Sequence, residues 1–193
     1  MTIIEHPAET AEWDSLPLTA AHAELLAAAA ISPVVAKEKG LRSITAAEDL
    51  PEWARWAGEK AVPCVVFPWI TIDGDVTEQL RPDTEFEHQG ERYKYLFPKG
   101  AGAVLNALRH DENAERVLVV EGTKQGLATA SWAPEGVAVY GVGGCRNWSS
   151  DGIPDSDLEV CDGKQVFIAL DADVSSNRDV YDAAVKLLSL IHI

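Results

Sequence analysis

The chain has 193 residues, of which 47% are hydrophobic and 24% charged, and a formal net charge of −15. This is the composition of one soluble globular domain or two small ones. The charge argues against tight, sequence-independent DNA binding through a broad basic face, because such affinity comes from neutralising phosphates, but a local basic groove remains compatible with it.

No apolar run approaches the ~20 residues of a membrane-spanning helix. The N-terminus, MTIIEHPAET, lacks the basic stretch and apolar core of a secretion signal. A cytoplasmic location and no membrane partner are therefore expected. Cys64, Cys145 and Cys161 are scattered, odd in number and without CxxC spacing, which argues against a disulfide framework or a zinc ribbon.

Residues 1–17 are acidic and aperiodic and suggest a loose arm. Residues 18–110 suggest a helical and then β-rich region. TAAHAELLAAAA, from Thr19, is rich in strong helix formers. SPVVAKEKG offers Ser32 as N-cap, Pro33 at the first helical position and Gly40 as the stop. TAAEDLPEWARWAGE places Thr45 and Glu48 at capping-box spacing, with Pro51 set to split or shift the helix. Short helices of this kind more often pack on one another than form a DNA-binding helix-turn-helix. From Val62 the texture turns to strands linked by DGD, RPD, HQG and PKG. Residues 60–110 also hold Lys60, Arg81, Arg92, Lys94, Lys99 and Arg109 among Phe86, Tyr93, Tyr95 and Phe97. Such interleaving suits a nucleic-acid track or an amphipathic hairpin with its rings inward.

From Arg116 the order is strand (RVLVVEG), helix (TKQGLATASW), strand (GVAVYGVGG), polar loop, strand (QVFIALDAD) and helix (SNRDVYDAAVKLL). Alternation with continuous apolar strands predicts an α/β fold with a parallel sheet covered on both faces. In such sheets sites form at the carboxyl ends of strands. Three ends stand out here: Glu121, the glycines Gly141 to Gly144, and Asp171 with Asp173. Residues i and i+2 of a strand face one side, so the two aspartates are able to serve one site. Clustered carboxylates repel unless a positive charge lies between them. Lys124 is one candidate, and a divalent cation is a better one. Magnesium prefers oxygen ligands, uses few protein carboxylates and leaves positions for phosphate and water. DxD alone is weak evidence, since acids also cap strand ends, and Asp173 is placed to cap the helix after Ser175. The conjunction of VLVVEGTKQ, a glycine-ended strand and VFIALDAD is stronger.

That conjunction resembles the Toprim domain of topoisomerases, bacterial primases and related nucleases. Together with ISPVVAKEKGLRSI, RPD and YKYLFPKG upstream, it is similar to a family of phage- and plasmid-borne Toprim proteins associated with primase-helicase chains, over roughly residues 18–187. The resemblance implies a Rossmann-like, mainly parallel Toprim domain over residues 115–187. It implies Glu121 as general acid/base or metal-positioning group, Asp171 and Asp173 as ligands of Mg2+ (or Mn2+), and Lys124 beside them. Gly122, Gly143 and Gly144 would form the site loop, and Arg81, Lys94, Tyr95 and Lys99 a nucleic-acid or nucleotide surface. The implied activity is primase-type nucleotidyl transfer, with single-stranded DNA template and nucleotides as partners and a helicase as a further one. A Toprim nuclease and a non-catalytic nucleic-acid-binding module are the alternatives. LDADVS also fits the DxDx[ST] motif of haloacid dehalogenase-type phosphatases, but that strand should come early and here it comes late.

Two departures stand out. The zinc ligand set that precedes many replicative primases has no counterpart here. The chain also ends one helix after DxD, so the Toprim domain is expected to be truncated. The last six residues, LSLIHI (188–193), are what a transposase adaptor used in DNA library preparation would encode in one frame; a genuine apolar tail closing the last helix is the alternative.

Overall fold

The structure, a computed structural model, describes residues 10–100, 105–144, 149–150, 153–154, 156–170 and 176–191. The chain divides into two compact units, Met1–Pro68 with Glu78–Lys99 and Trp69–Thr77 with Gly100–Ile193.

In the first unit, α1 (Thr10–Trp13) is a single helical turn where the sequence suggests a loose arm. Helix α2 (Ala20–Ala28) begins after Thr19, where the run of helix formers starts, and α3 (Pro33–Glu38) begins at the expected cap Ser32. Thr19 Oγ1 accepts from the His22 N–H at 3.2 Å, and Ser32 Oγ accepts from the Val35 N–H at 3.2 Å. Each bond satisfies one donor that a helix start leaves open. Gly40, at φ +67°, ends the helical segment. Strand β1 (Arg42–Ile44) follows and pairs antiparallel with β2 (Cys64–Ile70), and β3 (Val76–Pro82) completes the order β1-β2-β3. The helical part is thus stitched into the sheet by a strand too short to show a period.

The capping box expected at Thr45 and Glu48 does not form. The chain makes a 3₁₀ turn over Ala47–Asp49, with Ala46 in the cap position and no side-chain cap, and a second 3₁₀ segment over Glu52–Ala61. Pro51 lies between them, where its fixed φ and missing N–H interrupt a helix. Strands β4 (Phe86–His88) and β5 (Glu91–Tyr93) form an antiparallel hairpin. The core of this unit gathers Ile44, Leu50, Ala54, Cys64, Val66 and Leu80.

A buried histidine joins three of these segments. The ring nitrogens of His22 lie 2.6 Å from Ser43 Oγ and 2.7 Å from Asp83 Oδ1. A carboxylate only accepts, so Nε2–H donates to Asp83 and, in the neutral ring, Nδ1 accepts from Ser43. Ser43 Oγ in turn accepts the Thr19 N–H at 2.8 Å. The ring is 1% exposed, so these bonds satisfy a polar group that would otherwise be costly to bury.

The second unit holds β6 (Asn106–Arg109), β7 (Arg116–Glu121), α4 (Thr123–Trp132), β8 (Val137–Val142), the short pair β9 (Ser149–Ser150) and β10 (Ile153–Pro154), β11 (Gln165–Ala169) and α5 (Arg178–Ile191). The sheet order is β11-β7-β8-β6. β7 is parallel to both β8 and β11, whereas β6 runs antiparallel to β8. The sheet is therefore mixed and mostly parallel, as the mainly parallel sheet expected from the sequence requires. The antiparallel edge comes from four residues whose pattern is too brief to read. All six residues of β8 are buried, as a strand covered on both faces requires. β11 alternates exposed and half-buried positions, and Phe167 on it is 47% exposed. The core contains Val117, Val119, Ala138, Tyr140, Val142 and Leu187. Leu158 and Cys161 of the 3₁₀ segment Ser156–Cys161 join it. Among the described residues no helix is long and apolar enough to cross a membrane.

Burial pushes the thiols of Cys64 and Cys161 each up to about 11 and the hydroxyl of Tyr140 up to about 12. All three groups are neutral in the folded state and ionise first in the unfolded chain. Their contribution to stability is complete below pH 9 and falls as pH rises through 9 to 12. Urea titrations should give a constant midpoint from pH 7 to 8.5 and a falling one from pH 9.5 upward; a midpoint unchanged at pH 10.5 would contradict this burial.

Candidate functional site

The second unit places the ends of three strands along one sheet edge. In the parallel register Glu121 of β7 lies opposite Val142 of β8, and Val120 lies opposite Ala169 of β11. The carboxyl ends of β7, β8 and β11 therefore lie on the same side of the sheet. Glu121 is half-buried. Gly143 and Gly144 follow β8 at this edge, the first exposed and the second half-buried. Leu170 follows β11; Asp171 and Asp173 lie outside the described residues. Among the described residues no group of three or more His, Cys, Asp or Glu side chains is arranged to hold a metal, and the expected ligand set includes the two aspartates.

Gly122 makes the turn from β7 into α4. It sits at φ +82°, ψ 144°, a region essentially reserved for glycine. Its N–H donates to Val142 O at 3.0 Å, tying the turn to the end of β8, and its carbonyl accepts the Gly126 N–H at 3.0 Å, opening the helix. Lys124 lies in the first turn of α4, half-buried. Gly126 is a position that sequence reasoning passes over. A Cβ there would overlap the Leu108 side chain, and the Cα of Gly141 would lie 4.0 Å from it. The missing side chain lets α4 approach β6 and β8 closely, which fixes the start of the helix beside Glu121. A glycine in mid-helix costs ~1 kcal/mol against alanine, so a packing reason was the available signal.

The basic residues predicted for nucleic acid gather in the first unit. Leu80 and Leu96 form an antiparallel bridge, each N–H donating to the other's carbonyl at 2.9 Å. In such a bridge Arg81 and Tyr95 are the next facing pair. Accordingly Arg81 Cζ is 6.0 Å and Lys94 Nζ 5.8 Å from the centre of the Tyr95 ring, within cation–π range. Lys99 shares a groove with Tyr95. Among the described residues none of Arg81, Lys94 and Lys99 forms an ion pair, whereas Arg42 pairs with Glu78 at 2.8 Å and Arg92 with Glu85 at 2.5 Å.

That groove has a volume of about 750 Å³ and is lined mainly by aromatic rings, among them Trp53, Trp56, Tyr93 and Tyr95. The two tryptophans were not singled out from the sequence. Their W-x-x-W spacing was the signal, because residues i and i+3 eclipse on a 3₁₀ helix. Tyr93 Oη donates to Glu91 Oε2 at 2.6 Å. That bond to a carboxylate holds the tyrosine hydroxyl above its ordinary pKa.

No protein-family model and no curated protein matches the chain. Among solved structures the chain is similar to the crystal structure of the Aquifex aeolicus primase (zinc binding and RNA polymerase domains), with a TM-score of 0.58 and 16% sequence identity. The match covers 86% of this chain and 46% of that one, so it spans about half of the primase structure's length. At this identity the likeness is one of fold alone.

The backbone at Gly122 gives a direct check. Gly122→Ala would force a side chain into a glycine-only conformation and against the Gln125 side chain, with Oε1 2.6 Å from the new Cβ. Urea unfolding should show a loss of about 1–3 kcal/mol. A variant as stable as the wild type would show that the turn relaxes without strain.

Proposed function

We propose that the chain is a magnesium-dependent Toprim protein acting on nucleic acid, a DNA primase-related component of phage or plasmid replication that works in the cytoplasm. The observation that carries the proposal is the position of Glu121 at the carboxyl end of the central strand β7, in parallel register with the strand that leads to Asp171 and Asp173. The primase-related fold supports it.

The donor chemistry fits the metal. Glu121, Asp171 and Asp173 offer only hard oxygen ligands, the type Mg2+ or Mn2+ prefers. Glu121 ends a strand in which Val117, Val119 and Val120 are buried, so its carboxylate is set by a rigid element. These three residues would hold the ion. When bound, it would neutralise the phosphates of an incoming nucleotide and the pyrophosphate that leaves as a 3′ oxygen bonds to the α-phosphorus. Glu121 would also act as general base, its carboxylate receiving the proton of the attacking 3′ hydroxyl. Lys124, in the first turn of α4, would meet phosphate at the positive end of a helix. Arg81, Lys94, Tyr95 and Lys99 would contact single-stranded template or nucleotide. A helicase, as a domain or a separate protein, is the proposed partner in replication.

Primer synthesis on single-stranded DNA tests this. Wild-type protein should incorporate nucleotides only with Mg2+ or Mn2+, and Asp171→Asn or Glu121→Gln should each lower the yield at least about a hundredfold. Equal yields from wild type and Asp171→Asn would reject the ligand role. Metal-dependent nicking without incorporation would identify a nuclease instead.

A further inference from the structure

Tyr95 and Lys99, assigned above to template or nucleotide, line the groove of the first unit, but its tryptophans and Tyr93 have no role there. Trp56 is one of the groove's lining residues. The indole is 45% exposed although its ring centre lies 4.8 Å from that of His88 and 5.1 Å from that of Tyr93. Cross-strand pairing places Phe86 opposite Tyr93 and His88 opposite Glu91 on one face of the β4–β5 hairpin. Phe86 and Tyr93 stack at 5.5 Å with planes 20° apart. The Tyr93–Glu91 hydrogen bond fixes the tyrosine ring from its far end. The result is a set of rings held in place before any ligand arrives, which lowers the ordering cost of binding.

At the other side the groove reaches Tyr95 and Lys99, and Tyr95 is the ring against which Arg81 and Lys94 lie. An exposed aromatic floor beside cations that form no ion pair among the described residues matches a ligand that is planar and apolar in one part and anionic in the next. A single-stranded nucleic acid has this alternation. A proline-rich peptide would fit the rings but would not use the cations.

We infer that the groove is a base-stacking site for single-stranded nucleic acid: an unpaired base lies on Trp56 and Tyr93, and the adjoining phosphates meet Lys99 and the Arg81–Lys94 pair. This rests on the proposed nucleic-acid role and adds to it the means of recognition, stacking rather than charge neutralisation. In a chain of net charge −15 stacking is the stronger source of affinity, because it is worth the same whatever the distant acidic field does.

The test uses the 193-residue chain and a fluorescent mixed-sequence 12-mer of single-stranded DNA, followed by anisotropy, beside a 12-mer of the same length with abasic sites throughout. Wild-type protein should bind the base-bearing strand roughly tenfold to a hundredfold tighter than the abasic one. Trp56→Ala should remove that difference while leaving the abasic affinity unchanged, and Trp56→Phe, which keeps a ring, should retain most of it. Circular dichroism of both variants reports their folding. The inference is overturned if folded Trp56→Ala binds like wild type, if wild type does not distinguish the two strands, if no oligonucleotide binds, or if a proline-rich peptide binds the groove and DNA does not. Primer synthesis separates the two levels. Stacking-dependent binding without synthesis upholds the groove and defeats the catalytic proposal. Synthesis by wild type with Trp56→Ala binding unimpaired defeats the groove alone.

Discussion

Parallel pairing of β7 with both β8 and β11 is the constraint on which the second unit depends. A parallel register brings carboxyl ends to one side, so residues far apart in sequence leave the sheet together: Glu121 faces Val142, and Val120 faces Ala169. The hydrogen bonds of the ladders and the burial of Val117, Val119, Ala138 and Tyr140 hold this alignment. A one-residue slip would turn every side chain of a strand to the opposite face. The glycines follow from the same constraint. Gly122 must turn sharply at the strand end, and Gly126 must let α4 lie close to the sheet. Both act on the same few ångströms around Glu121.

The first unit meets a different problem. A strongly acidic chain can bind a polyanion only if its cations are concentrated and another attraction helps them. The Leu80–Leu96 bridge concentrates them by bringing Arg81 and Lys94 against one tyrosine ring. The W-x-x-W turn and the β4–β5 hairpin supply the other attraction as aromatic surface. His22, tied to Ser43 and Asp83, links the helical segment to the strands that carry these groups. None of this depends on the carboxylates of the second unit, so the proposed recognition and the proposed chemistry are separable by mutation.

Much of this was legible where local chemistry decides the outcome. Ser32 announces a helix start because its side chain accepts a backbone N–H three residues on. The alternation from Arg116 onward is legible because its strands are continuous and apolar and its helices long. β1 and β6 were not legible. Three or four residues carry too little period, and their partners, Cys64–Val66 and Val139–Gly141, are distant in sequence. The capping box at Thr45 shows the converse, a correct local signal overruled by Pro51 and by packing of the 3₁₀ segment. The position of Glu121 at a strand end was legible from the apolar run before it. Trp56 was missed because a tryptophan reads as core until its exposure is known, and His22 because its partner Asp83 lies 61 residues away.

The central claim is that one hard-oxygen site forms where β7 and β11 end. Titration of the full chain with Mn2+, read by its electron paramagnetic resonance signal as free ion disappears, addresses it without relying on turnover. The account predicts a saturable site that is competed by Mg2+ and is lost in Glu121→Gln and in Asp171→Asn, with far-ultraviolet circular dichroism unchanged. Binding that is equal in wild type and both variants, or absent from all three, would contradict it.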